Sequence, residues 1–383
     1  MPRALYIHWP FCLAKCPYCD FNSHVRDNVD IPHWRKALFS DLHHEAPFAG
    51  DEPLSSIFFG GGTPSLMPPE LVGELIHEAS NLFGFTEGIE ITLEANPSSV
   101  EAANFADLAS AGINRVSLGL QSLDDSALTF LGRLHNANEG LAALDVAQKH
   151  FGRVNFDLIY ALPGQTQAQW TDQLEAAIGL GTGHLSLYQL TIEPGTRFAT
   201  MVRQNDFTPL GEDASADMFA LTRQITREAG LPAYEVSNHA RLGEESRHNL
   251  IYWRYQDYHG IGPGAHGRRF GHATTRHRKP ENWLAAVDSM GNGIQQEDLL
   301  EAAVAASEAM LMGLRLAEGV DLAALGTRFG FAADALCDHA KLAFYTQQGL
   351  AWQKGARIGI SEAGMPLLDG LLGELVPAAL VSA

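Results

Sequence analysis

The sequence predicts an α/β fold: a partial (β/α)6 barrel of the TIM type followed by a smaller helical, winged-helix-like domain. Two observations predict the barrel. Over about the first 240 residues, six short apolar runs alternate with helix-like segments, several of which stop at a glycine. Polar residues then gather where successive runs end, the face on which parallel barrels build their sites. A third observation predicts the second domain: a helical pattern over 297–349, followed by a stretch that reads as a hairpin. A doubly wound sheet is the competing arrangement for the first part.

Taken in order, the strand candidates are "ALYIHW", "SSIFFGG", "IEITLEAN", "RVSLGLQ", "VNFDLIYALP" and "HLSLYQL". Helix-like segments over 71–83, 100–111 and 168–180 each precede a glycine, Gly84, Gly112 and Gly181, a common helix stop. Ser98 and Ser99 are N-cap candidates for the second of them. Cys12 follows the first strand, "GGGTPS" the second, Glu94 the third, Gln121 the fourth and Gln189 the sixth, while Asp157 lies within the fifth. The expected division is a barrel over 1–240, an aromatic, histidine- and glycine-rich connection over 241–290 carrying "HNLIYW", and a helical domain over 291–383. The connection reads as loop-dominated. "LAWQKGARIGIS" supplies the hairpin of the last domain.

Bulk composition narrows the function classes. The 383-residue chain carries a formal net charge of -19, which disfavours a phosphate backbone and so a nucleic-acid partner. No apolar stretch approaches the roughly 18 residues of a membrane span, so no stable membrane insertion is expected. The opening "MPRALYIHWPFC" lacks the apolar core of a signal peptide, which points to the reducing cytoplasm.

Three of the four cysteines, Cys12, Cys16 and Cys19, fall within eight residues in the spacing C-x3-C-x2-C, whereas Cys337 stands alone. A structural zinc site normally takes four protein ligands, often in two close pairs. His8 or His24 could complete one, so zinc stays open on spacing alone. Three thiolates on a short loop can instead hold three irons of a cubane and leave the fourth iron free for a ligand. "FFGGGTPS" lacks the GK[ST] of a P-loop; by itself it is a tight turn whose glycines allow close backbone approach.

With Tyr18 just before its last cysteine, the loop resembles that of the radical S-adenosylmethionine (SAM) superfamily. The resemblance implies a [4Fe-4S] cluster held by Cys12, Cys16 and Cys19, with SAM chelating the open iron and cleaved reductively to methionine and a 5′-deoxyadenosyl radical. An electron donor is then implied as well. By the same resemblance, Tyr6, Tyr18, Gly61, Gly62, Thr63, Glu94, Gln121, Arg133, Asp157 and Gln189 match SAM-contacting positions. Arg133 and Asp157 also admit plainer roles, a surface charge and a satisfied barrel polar group.

"YIHWPFC", "GGGTPS", "LGLQS", "DLIYALPGQT" and the C-terminal helices together resemble the oxygen-independent coproporphyrinogen III oxidase group. Two departures argue against the oxidase itself. Phe21 stands where that enzyme has a further cysteine, and Cys12 leaves little room for its N-terminal extension. "HNLIYW" instead matches the HNxxYW signature of the HemW family of heme chaperones. The match implies heme as a ligand and hemoproteins as acceptors, with His248, Asn249, Tyr252 and Trp253 as candidate heme residues. Imidazole is a common axial ligand; His248, His259, His266 and Cys337 are the candidates, in that order.

Overall fold

The computed structural model describes residues 3–26 and 28–381. Six parallel strands form its centre: β1 (Ala4–Trp9), β2 (Leu54–Gly61), β3 (Phe85–Ala95), β4 (Arg115–Gln121), β5 (Arg153–Tyr160) and β6 (His184–Gln189). They lie side by side in chain order, and β7 (Asn238–Ala240) closes one flank antiparallel to β6. On the other flank β8 (Tyr258–Ile261) pairs parallel with β1, and β9 (His266–Arg269), β10 (His272–Arg276) and β11 (Ile294–Leu299) continue antiparallel. The result is an open sheet of eleven strands whose two ends do not meet. The partial barrel expected from the alternation is therefore present, widened by strands that the sequence did not announce.

Strand alternation explains the two faces of this sheet. On β1 and β2, Leu5, Ile7, Trp9, Ile57 and Phe59 point outward into the main apolar core beneath helices α1 (Ile31–Glu45) and α2 (Pro69–Phe83). The alternate residues carry the chemistry. Tyr6, His8, Ser56, Glu90, Thr92, Glu94, Arg115, Ser117, Asn155, Asp157 and Ser186 share the opposite, concave face by register and parity. Fully buried strands usually read as continuous apolar runs. Here the polar alternation marks a face that lines a cavity.

Residues 241–290 differ from the loop-dominated connection expected. Arg247–Trp253 is a helix, α3, and three strands and a further helix, α4 (Pro280–Met290), follow it. "HNLIYW" is thus helical and not a flexible link. Its glycines do not mark a long loop: Gly262 and Gly264, both at positive φ, make the tight turn between β8 and β9. The C-terminal part runs α5 (Ala302–Gly313), β12 (Val320–Asp321), α6 (Leu322–Phe329), α7 (His339–Gln347), β13 (Ala351–Lys354), β14 (Arg357–Ile360) and α8 (Leu368–Leu375). Three helices with a small antiparallel sheet give the winged-helix-like arrangement, around an apolar core of its own that includes Met310, Leu342 and Leu372.

Candidate functional site: a cysteine cavity and an interdomain cleft

The cysteine loop is pinned at both ends. Phe11–Cys12 pairs in parallel with His24–Val25, and the Cys19 N–H donates to the Cys16 carbonyl at 3.2 Å. Beside it runs the glycine turn: Gly62 N–H donates to Trp9 O at 2.7 Å and Thr63 N–H to Phe11 O at 2.8 Å. Gly61 has φ +113, and a Cβ on Gly62 would stand 2.7 Å from the Phe11 carbonyl oxygen. Only glycine allows the turn to press this closely against the loop.

The loop, the turn and the ends of β3 to β5 enclose a cavity of about 180 Å³. All three thiols line it. Thr63 Oγ1 lies 3.4 Å from Cys12 Sγ, and Arg133 Nη1 lies 3.2 Å from Cys16 Sγ. Burial raises the Cys12 and Cys19 thiols above their ordinary range, a cost that a bound cation reverses. Among the described residues, no three Cys, His, Asp or Glu converge tightly enough to hold one metal ion. A single zinc needs that convergence; three thiolates on three separate irons do not.

Deeper in the cavity lie two carboxylates. Burial, and then the neighbouring Asp157 charge, push Glu94 up to about 8, against a hydrogen bond from Gly61 N–H at 3.2 Å. Burial likewise lifts Asp157 to about 6, opposed by hydrogen bonds from Ser186 and Ser117. Two acids this close ionise together only at a cost, which a cationic group placed between them would lower. Gln121 sits at the bulged end of β4 with φ 67, a backbone that non-glycine residues rarely adopt. Its Oε1 is buried without a partner, as is Arg133 Nε. Arg133 is otherwise well held, donating from Nη2 to Asn96 Oδ1 at 2.6 Å and to Gly119 O at 2.9 Å.

A second and larger space, about 1360 Å³, opens between the concave sheet and the C-terminal module. Helix α3 contributes His248, Asn249, Tyr252 and Trp253 to its wall. The helix starts on the N-cap Ser246, whose hydroxyl accepts from Asn249 N–H at 3.3 Å. Glu90 accepts the next two amides, from Arg247 at 3.2 Å and His248 at 3.1 Å. The His248 ring stacks on Phe58 with centroids 4.9 Å apart, and its Nδ1 lies 3.1 Å from Ser56 Oγ. Burial lowers its pKa to about 4, so the imidazole stays neutral near pH 7. With Nδ1 engaged, Nε2 is the nitrogen left for a ligand.

Two family profiles cover much of the chain: "Radical SAM superfamily" matches residues 6–177, and "HemN C-terminal domain" matches 300–367. Among curated relatives, the mitochondrial radical S-adenosyl methionine domain-containing protein 1 of Bos taurus is 39% identical over 326 residues, covering 83% of this chain and 74% of its own. The heme chaperone HemW of Haemophilus influenzae is 44% identical over 274 residues, 70% of each chain. The chain belongs to the HemW family of the radical SAM superfamily. The solved structure of Escherichia coli coproporphyrinogen III oxidase (HemN) superposes with a TM-score of 0.82 over 97% of this chain and 89% of that one. At 22% identity that likeness speaks for the shared fold.

Membership in a radical SAM family implies a [4Fe-4S] cluster and SAM, and the residues of the cysteine cavity fit both. Three thiols face one space, the Glu94–Asp157 pair has the charge to suit a cationic group such as a sulfonium or ammonium, and the partnerless amide oxygen of Gln121 is a further acceptor. Of the positions matched to the superfamily, Tyr18, Gly61, Gly62, Thr63, Glu94, Gln121, Arg133 and Asp157 line this cavity with the cysteines. Two do not. Tyr6 lines neither space: its hydroxyl meets His8 Nδ1 at 2.9 Å and its ring centroid lies 6.3 Å from that of His248. Gln189 belongs to the larger cleft, with its amide on Ser215 O at 2.6 Å.

Among the four candidate axial ligands of this HemW-family chain, only His248 borders the cleft. His259 Nδ1 is tied to Glu45 Oε2 at 2.7 Å with both side chains buried. Cys337 is in the C-terminal core, its thiol pushed up to about 11 by burial. His266 lies on β9, paired with Thr275 of β10. Asn249 is directed to Tyr234, whose hydroxyl its amide reaches at 3.3 Å. The sequence reading missed Asn96, which donates to Thr63 Oγ1 at 3.1 Å and accepts from Arg133. Its place two residues beyond Glu94, at the end of the same strand, was the available signal.

Proposed function

We propose that this protein is a heme chaperone: it binds heme in the cleft between sheet and C-terminal module and passes it to acceptor hemoproteins. A [4Fe-4S] cluster on Cys12, Cys16 and Cys19 and SAM against Glu94, Asp157 and Gln121 are its cofactors, with an external electron donor. The observation that carries the reading is His248. It is a neutral imidazole oriented through Nδ1 by Ser56 and presented to a cleft of about 1360 Å³ by a capped helix, beside Tyr252 and Trp253. Tyr252 is 42% exposed, so apolar ring surface is on offer to a flat macrocycle. Two relatives named heme chaperone HemW, 44% and 42% identical, support the same assignment. When bound, cluster and SAM supply one-electron chemistry; the chain's own residues hold the cluster, receive the cationic ligand and shelter both from bulk water.

Decarboxylation of coproporphyrinogen III is the reading set aside. Phe21, 61% exposed, stands where the oxidase group has another cysteine. Anaerobic reconstitution, then separate assays of heme binding and coproporphyrinogen turnover, tests the choice. We expect a heme complex whose axial signature is lost in His248→Ala, and no protoporphyrinogen IX. Turnover above an enzyme-free control, with unaltered heme binding by the variant, would reverse it.

A further inference from the structure

The cleft is rich in carboxylates, with Glu212, Glu235, Asp369 and Glu374 on its walls, yet its lining includes one guanidinium. Among the described residues Arg315 is the only Lys or Arg there. It follows the last turn of α5, so it belongs to the C-terminal module, whereas His248 belongs to the sheet side. Its bonding is incomplete. Nη2 donates to Asp369 Oδ1 at 3.1 Å, but Nη1 is shielded from solvent and has no partner. Asp369 is 89% exposed and therefore a weak, displaceable tie. A guanidinium with an unpaired N–H and a loose carboxylate neighbour is suited to exchange that neighbour for a ligand carboxylate.

We propose that Arg315 recognises one propionate of the porphyrin in this cleft, displacing Asp369, while the iron is reached by His248 from the other module. Resting on the chaperone reading, this assigns the cleft a ligand class: a planar apolar macrocycle with at least one free carboxylate. Leu367 and Tyr345 from the C-terminal module and Tyr252 and Trp253 from α3 supply the surface that such a ring needs. A single cation accounts for one carboxylate; the second propionate is left to the open rim. Binding therefore bridges two modules, and release requires both that the ion pair be exchanged back to Asp369 and that the iron leave His248.

Titration of the full chain with heme, heme dimethyl ester and metal-free protoporphyrin IX decides the matter. Wild type should prefer heme over its diester. Arg315→Leu should lower heme affinity roughly tenfold and abolish that preference. His248→Ala should instead remove the axial-ligand change in the Soret band and keep the preference for free carboxylates. Asp369→Ala should tighten heme binding, a gain that misfolding cannot produce. A wild type indifferent to esterification, an Arg315→Leu variant that keeps the preference, or weaker binding by Asp369→Ala would overturn the proposal. If wild type shows no iron ligation but binds metal-free protoporphyrin through Arg315, the chaperone reading fails and the carboxylate site stands. Failure to bind any of the three removes both.

Discussion

At the scale of single residues, the cysteine cavity separates the thiols proposed to hold the cluster from the carboxylates proposed to face SAM. Replacing Cys12, Cys16 or Cys19 by alanine should each abolish a cluster of about four irons per chain, by the ordinary rule of thiolate-held clusters. Cys337→Ala should leave iron content unchanged, since that side chain is buried in the other module's core. Iron and sulfide analysis after anaerobic reconstitution reads this directly. Glu94 makes a second prediction, with a definite sign. Its folded-state pKa is raised to about 8, so the folded chain holds the proton more tightly than the unfolded chain does. Ligand-free stability should therefore fall as pH rises from roughly 4.5 to 8, by an order of a few kcal/mol at most for a shift of this size. Glu94→Gln should flatten that slope and weaken SAM binding about tenfold. Denaturation midpoints of wild type and variant at pH 5 and pH 8 measure the first effect; a steeper fall in the variant would refute it.

At the scale of one element, helix α3 shows how the proposed heme ligand is aimed from a distance. Seven residues do not sustain a helix in isolation. This one is held by the Ser246 cap and by Glu90, which takes two of its leading amides and is itself braced by Arg153 at 2.6 Å. Removing a serine cap costs typically about 1 kcal/mol. Ser246→Ala should therefore weaken heme binding severalfold while iron content and SAM affinity stay at wild-type values. Equal loss of all three would show general unfolding and not mispositioning of His248. The same helix explains a misreading of the sequence. Its aromatic density and the glycines after it suggest a loop, because Ser56, Phe58 and Glu90, the groups that fix it, lie more than 150 residues earlier.

For the whole molecule, the strands that extend the sheet beyond β1 are bolted to α1 by a buried ionic network. Arg276 donates to Asp41 and Glu45, each at 2.8 Å, Arg269 donates to Glu45 at 2.8 Å, and His259 completes the group. Asp41 also receives the backbone N–H of Gly262 at 3.0 Å and of Gly293 at 3.1 Å. Against the burial that opposes ionisation, the His259 hydrogen bond and the two guanidinium groups hold Glu45 well below the usual carboxylate range. Its contribution is thus present above about pH 4.3 and lost as pH falls below that value. Breaking such a network costs about 3–5 kcal/mol, because uncompensated charge is left inside. Arg276→Met should lower the denaturation midpoint by a corresponding amount at pH 7. Loss of stability should leave the cluster ligands untouched in the fraction that folds. An unchanged midpoint would show that the network is dispensable.

Sequence alone determined the parallel βα core, because alternation of apolar runs with glycine-stopped helices is a local pattern that each segment carries by itself. It also brought the three thiols of the proposed cluster loop together, since cysteines within eight residues must share one place whatever the rest of the chain does. Only the tertiary structure decided that β8 to β11 widen the sheet, that Gln189 faces the cleft and not the cysteine cavity, and that His259 and Cys337 are buried away from it. Those outcomes depend on which face of a strand meets which distant partner. A histidine in a sequence is the same residue whether Glu45 or an open cleft waits for it; long-range packing makes that choice.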